Sequence, residues 1–332
     1  MRFLRSIVLL FAAVLWAGGL SGTLSHWLYE VGVIVDDYRY GDLYRLAALP
    51  QFRQAAPVCP RSNRDTDTAS THLYIIGDSF SEEQRITQDD FRVSHYQRVK
   101  WYNPRRAQLD STKRNVLLLE TVERHFRDHF TQPVRELVVE PDTNRSRLPK
   151  PTGWQRFKED IHWSDVEERL ASTLFSHRWA FWFKELKATL TLNWFDRTST
   201  GVSLSRDRRH IFLHSDTDSA SVLSSFSRLT GAEVNAYVDS VNATADYYKK
   251  QGFDEVYLSI IPNKASILEP NRYPYNHLIE RIQQHPSLRV PTVNLYDAYK
   301  KAPASPYLKS DTHWDCTGRA IWLNLVRQKL RV

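Results

Sequence analysis

Residues 73–83 read LYIIGDSFSEE. Four apolar or aromatic side chains, Leu73 to Ile76, lead into Gly77, Asp78 and Ser79, where the polarity reverses. A short unbroken apolar run closed by turn formers predicts a strand buried on both faces, as in a parallel sheet. The pattern recurs in NVLLLE (115–120), EVYLSII (255–261) and, more weakly, TVNLY (292–296). Helical patterns lie between or after these runs, at about 121–130, 229–251, 274–284 and 315–330. Strands alternating with helices predict a doubly wound α/β domain. Gly, Asp and Ser also make ordinary turns, so the end of the first strand has two readings. Either the chain simply turns, or Ser79 is a nucleophile displayed at the strand's carboxyl end, with Asp78 serving the turn. In the second reading Gly77 permits a tight turn and leaves room for an approaching acyl group. A helix after Ser79 would then aim its first amides at the developing oxyanion.

A serine hydroxyl attacks a carbonyl well only when a base takes its proton. The best base in the chain lies in YLKSDTHWDCTGRAIW (307–322). Asp311 and His313 stand two apart, and in an extended loop alternate side chains share a side. The carboxylate then fixes the imidazole through Nδ1 and leaves Nε2 for Ser79, which is the Ser-His-Asp arrangement. A helix beginning near Asp315 or Thr317 would anchor this loop. Asn103, in WYNPRR, is a candidate oxyanion donor beside the Ser79 N–H. Standing before Pro104, it also reads as a plain turn residue.

The chain has 332 residues, 42% of them apolar, which allows a sizeable core in one large domain or two ordinary ones. Ten Trp suit a glycan-facing or membrane-facing surface, and equally a large core. A net charge of +7 suits acidic polymers or anionic surfaces. No zinc-finger spacing, RNP-like motif or concentrated Lys/Arg tract is present, which argues against nucleic acid as a partner. At the amino terminus Arg2 and Arg5 precede the uncharged SIVLLFAAVLWAGGL (6–20), and the run stays free of Asp, Glu, Lys and Arg to Tyr29. This is the form of a secretory signal, and it meets the roughly 20 residues that a bilayer span needs. Residues 1–29 are therefore expected to be an uncleaved signal anchor or a cleaved signal peptide. The basic flank would stay inside and residues 30–332 outside, an extracytoplasmic position on the periplasmic side of the cytoplasmic membrane. Residues 30–70 read as an N-terminal segment and polar linker. Residues 71–332 read as the α/β domain, interrupted at about 131–228 by Trp- and Phe-rich amphipathic helices that would form a cap. Cys59 and Cys316 fit a disulfide in such a compartment, or two buried thiols.

GDSFS (77–81) with a carboxyl-terminal DTHW (311–314) resembles the SGNH, or GDSL-type, hydrolase superfamily. More narrowly it resembles the SGNH-like proteins of bacterial polysaccharide O-acetylation, the alginate O-acetyltransferase group. SDTHWDCTGRA is similar to that group's Asp-Thr-His-Trp motif with its trailing Gly. NVLLLETVERHF is similar to its strand ending in a Glu-Arg pair, here Glu123 and Arg124. LSIIPNKASI is similar to its strand with a Pro and a Lys, here Pro262 and Lys264. These motifs cover about residues 73–130 and 253–325. The resemblance implies a three-layer, flavodoxin-like parallel sheet with helices on both faces and a Ser79-His313-Asp311 triad. It implies an extracytoplasmic O-acyltransferase that acetylates a polysaccharide or other glycan, without a cofactor, with a multi-span membrane O-acyltransferase as acyl donor. A carbohydrate esterase with the same triad and a non-catalytic polysaccharide-binding or scaffold protein are the alternatives.

Two features depart from the pattern. GDSL enzymes carry Asp three residues before the His, where this chain has Ser310, so Asp311 is the only usable carboxylate. In the O-acetylation group the Asp-His motif precedes the serine, whereas here Ser79 comes first, which loosens the inference about substrate. A Gly-x-Asn-Asp segment is also lacking. Trp314 is expected to pack beneath its loop or to line an acyl pocket. Arg124 is expected to pair with Glu123 or another buried acid, or to touch substrate. His125 and His129 stand four apart on a helical stretch, a spacing that suits a metal. With neither an HExxH motif nor a third ligand in view, no metal is expected.

Overall fold

The computed structural model describes residues 2–21, 27, 41, 43–47, 49–54, 57–60, 70–140, 178–198 and 201–332. The chain divides into two units, residues 1–55 with 144–199 and residues 56–143 with 200–332.

The larger unit is α/β. Its strands, in chain order, are β1 (Thr71–Gly77), β2 (His95–Lys100), β3 (Arg105–Gln108), β4 (Arg114–Val122), β5 (Leu137–Glu140), β6 (Val202–Leu204), β7 (Ile211–Leu213), β8 (Glu255–Ile261) and β9 (Thr292–Val293). Five of them form a parallel sheet in the order β2-β1-β4-β8-β9. β3 and β5 pair in parallel, and β6 and β7 form an antiparallel hairpin.

Successive side chains on a strand face opposite ways, and the sheet shows it. Tyr74, Ile76, Leu117, Leu119, Leu258 and Ile260 pack on one face with Val234, Val238 and Val241 of the helix Gly231–Lys250. Leu73, Ile75, Val116, Leu118, Tyr257 and Ile261 pack on the other with Trp322, Leu323 and Val326 of the helix Cys316–Leu330. These are three layers with a core on each side of the sheet. The apolar runs read from the sequence are β1, β4 and β8. β2 carries no such run, because it is the edge strand and four of its six residues are only partly buried. Of TVNLY, only Thr292 and Val293 pair; Asn294 instead caps the helix Leu295–Lys300. The sheet order reverses between β1 and β4, and a crevice opens beyond the carboxyl ends of strands at such a switch point.

The smaller unit contributes the helices Arg2–Leu20, Tyr44–Ala47 and Arg178–Thr189, the last continuing into a π-helical turn at Leu190–Trp194. Phe52, Ala188 and Leu192 are buried in it, and Arg53 pairs with Glu185 at 2.8 Å. Phe3, Leu4, Leu9, Leu10 and Trp16 of the first helix are exposed. Among the described residues no helix is long and apolar enough to cross a membrane. Residues 1, 22–26 and 28–29 of the expected anchor and 141–177 and 199–200 of the expected cap lie outside the described residues. The expected cap is also divided between the units. Residues 201–228 belong to the α/β unit, where Ile211 N–H donates to Lys309 O at 2.9 Å, and the helix Arg178–Thr189 belongs to the smaller one.

Candidate active site

β1 ends at Gly77, and Ser79 begins a three-residue 3₁₀ turn, Ser79–Ser81, rather than the expected α-helix. The turn is held from the neighbouring strands. Glu120 Oε2, on β4, accepts from Asp78 N–H at 2.8 Å and from Ser81 Oγ at 2.7 Å. Arg98, on β2, donates to Gly77 O at 3.0 Å and Asp78 O at 2.6 Å. A Cβ on Gly77 would stand 2.1 Å from Ser81 Oγ and 2.6 Å from Glu120 Oε2. The glycine therefore makes room for this buried bracket, not for an acyl group. Burial, with Asp78 close by, pushes the Glu120 carboxyl up to about 8.

The base comes from the loop between the helices Leu295–Lys300 and Cys316–Leu330. Ser79 Oγ lies 2.8 Å from His313 Nε2, and His313 Nδ1 lies 2.6 Å from Asp311 Oδ1. The three residues, with Ser79 and His313 separated by 234 positions in the chain, thus form one hydrogen-bonded line. The loop is not extended as expected. Asp311 Oδ1 also accepts from His313 N–H at 2.8 Å, which bends the chain, and Tyr307 bridges to Trp314 across the bend. One carboxylate thereby orients both the backbone and the ring of His313. Burial opposes ionisation of Asp311, but the bonds from His313 outweigh it and hold the carboxyl below the usual range. Ser79 is partly exposed, and its N–H has no hydrogen-bond partner among the described residues, so it is free to meet an oxyanion.

Two further features fix the loop. Lys264, 2% exposed, sends Nζ to the carbonyls of Ile211, Leu308, Lys309 and Asp311 at 2.5–3.2 Å. Asp315 caps the following helix by accepting from Gly318 N–H at 2.8 Å, and a Cβ on Gly318 would stand 2.3 Å from Pro306 O. Cys59 and Cys316 form a disulfide that ties residues 57–60 to the first turn of this helix. It closes a loop of 257 residues. A native disulfide of this kind contributes about 2–5 kcal/mol. A cleft of about 320 Å³ lies against Asp311 and His313 and is walled by Val58, Cys59, Arg85 and Trp314.

The remaining candidates fall apart from the triad. Of the partners expected for Arg124, the structure shows the second, a buried acid other than Glu123. Arg124 is 7% exposed and bonded to the buried Asp216 at 2.9 Å. Glu123 instead accepts from Asn263 N–H, Ser266 Oγ and Tyr275 OH, and burial pushes its carboxyl up to about 6. Trp314 packs beneath the loop, edge-on to Phe80 at 4.9 Å and against Trp322, as well as walling the cleft. Asn103 is exposed in the turn after β2, where its N–H donates to Lys100 O at 3.2 Å, and its side chain has no hydrogen-bond partner among the described residues. Asp78 does more than serve the turn. Its Oδ2 accepts from Val122 N–H at 2.8 Å, and its Oδ1 lies 3.2 Å from His125 Nδ1. Asp216, Glu120 and Arg98 carry little signal in the sequence, because their partners are distant in the chain. No protein-family model, no curated protein and no solved structure matches the chain.

Proposed function

We propose that the protein is a serine-dependent O-acyltransferase of the SGNH type, acting outside the cytoplasm on a polysaccharide or other glycan. The reading is carried by the continuous line from Ser79 Oγ through His313 to Asp311. Ser79 Oγ attacks the donor ester carbonyl while His313 Nε2 takes its proton, and the Ser79 N–H meets the oxyanion. As the donor alcohol leaves, His313 returns that proton to it, and an acyl-serine remains. A glycan hydroxyl then gives its proton to His313 and takes the acyl group, and His313 returns the proton to Ser79 Oγ as it leaves. Asp311 keeps the imidazole in the tautomer that both steps need and stabilises the imidazolium. The residue order, with Ser79 ahead of Asp311 and His313, follows ordinary SGNH hydrolases; the DTHW motif is the feature that favours acyl transfer to glycans.

Two features support the proposed place. Arg2 and Arg5 flank an uncharged run whose helix leaves large apolar side chains exposed, as a membrane anchor would. The Cys59–Cys316 disulfide suits an oxidising compartment. A multi-span membrane protein would supply the acyl group.

A fluorophosphonate probe, with peptide mapping, tests the nucleophile. It should label Ser79 in the native chain and not in His313→Ala; absence of label at Ser79 in the native chain sinks the enzymatic reading and leaves the scaffold alternative. Incubation with an activated acetyl ester and glycan acceptors separates the rest. Acetylated glycan marks the transferase, and free acetate alone marks the esterase.

A further inference from the structure

The helix Glu123–His129 follows β4 and brings two imidazoles, His125 and His129, to Asp78, the residue before Ser79. We propose that Asp78 Oδ1, His125 Nδ1 and His129 Nε2 bind a divalent transition-metal cation of the zinc class. This site is independent of the acyl-transfer reading.

All three donor atoms lie within 4.8 Å of one another. Asp78 Oδ1 is 3.2 Å from His125 Nδ1 and 4.0 Å from His129 Nε2. Ligands about 2.0–2.1 Å from a tetrahedral zinc stand about 3.3 Å from each other. The first pair already has that separation, and the second reaches it by closing about 0.7 Å, a side-chain adjustment on the scale of that geometry. The two histidines are i and i+4 on one helix and so share a face.

The outer contacts fit the same reading. Val122 N–H donates to the far oxygen of Asp78 at 2.8 Å, leaving Oδ1 for a ligand. His129 Nδ1 lies 2.8 Å from Thr121 Oγ1, and the Thr121 hydroxyl reaches Asp78 Oδ2 at 3.4 Å. With Thr121 accepting Nδ1–H and turning its own proton to Asp78, Nε2 of His129 keeps its lone pair. Metal-bound histidines are held in this way through the ring nitrogen that does not ligate. The His129 side chain is 3% exposed and stacks on Trp101 at 3.9 Å. Its Nε2 has no hydrogen-bond partner among the described residues and lies 4.0 Å from Asp78 Oδ1. Two nitrogens and one carboxylate oxygen select zinc-like ions over magnesium or calcium, which take all-oxygen sets. The His125 side chain is 41% exposed, so the remaining coordination position can be filled by water.

Titration of the full chain with Zn²⁺ against a chromophoric chelator tests the site. One equivalent should bind tightly enough to compete, and Co²⁺ should give the visible bands of a four-coordinate complex. His125→Ala should lower the affinity by at least about 100-fold, since losing even an outer-shell partner costs about 10–100-fold. His313→Ala should keep the native affinity, which separates this site from the triad. Should His125→Ala fail to fold, mass-spectrometric mapping of diethylpyrocarbonate modification on the native chain replaces it, with Zn²⁺ protecting His125. No competition at one equivalent, native affinity in His125→Ala, loss of affinity in His313→Ala, or unprotected His125 each overturns the proposal.

Discussion

The two ends of the five-stranded sheet are built from the same strands and treat charge in opposite ways. At the amino ends the ion pairs stay in water. Arg114 meets Glu255 at 2.7 Å with both side chains about a quarter or more exposed, and Arg289 meets Asp246 at 2.6 Å on the open surface. At the carboxyl ends the charges are inside. Arg124 and Asp216 pair at 8% and 2% side-chain exposure, Lys264 is buried under four carbonyls, and Asp311 and His313 are nearly covered. Exposed pairs gain about 0–1 kcal/mol and cost little to form. Buried ions carry a desolvation penalty that only full hydrogen bonding offsets. Stability alone gives no reason to gather such groups at one end. Their concentration where strand order reverses lies at the crevice where open α/β sheets bind their ligands, as the proposed chemistry requires.

The contrast breaks most readily at the triad. Ser79→Ala and His313→Ala should each cut acyl transfer to the level left by binding and the oxyanion donor, and Asp311→Asn should cost about 10⁴-fold. The Ser79→Ala/His313→Ala double variant should be no worse than the worse single one, since the groups act as a unit. Rates beside circular dichroism decide this. Near-native turnover in folded Ser79→Ala would reduce the carboxyl end to architecture.

Lys264→Met probes the buried charge itself. It removes the donor shared by four carbonyls around the catalytic loop, and breaking a buried polar network of this sort costs about 3–5 kcal/mol. Urea unfolding should show that loss, with kcat falling because the Asp311 loop is no longer held. A variant as stable as the native chain would mean that the carbonyls find water without penalty.

The pH response sharpens the comparison further. Burial, with Lys264 nearby, lowers His210 from its ordinary 6.5 to about 4 in the hairpin beneath the catalytic loop. Between those values the unfolded chain takes up a proton that the folded chain refuses, so stability falls as pH drops from 6.5 towards 4. The melting temperature of His210→Gln should depend less on pH across that window. An identical slope in both proteins would assign the acid sensitivity elsewhere. The smallest effect belongs to the other end. Arg114→Ala should change stability by about 1 kcal/mol or less, and leave acyl transfer unchanged. A large loss of activity there would erase the distinction between the ends.

The sequence by itself determined the elements whose burial is continuous. β1, β4 and β8 announce themselves as apolar runs, and the helices Gly231–Lys250 and Cys316–Leu330 lie within a residue or two of the expected spans. Ser79, Asp311 and His313 were legible for a similar reason: each sits where an apolar run or a helix begins or stops, and Asp311 and His313 are near neighbours in the chain. Tertiary structure alone decided the rest. β2 is an edge strand and needs no apolar run. Arg124 finds Asp216, 92 residues away, rather than the adjacent Glu123. Gly77 is required by Glu120, 43 positions on, through a clash that no local pattern encodes. Asp78 reaches His125 and His129 only because β1 and β4 lie side by side in register. Local periodicity reports which face of a segment is dry. Which polar groups share the dry space is set by strand order and register, and those are properties of the whole sheet.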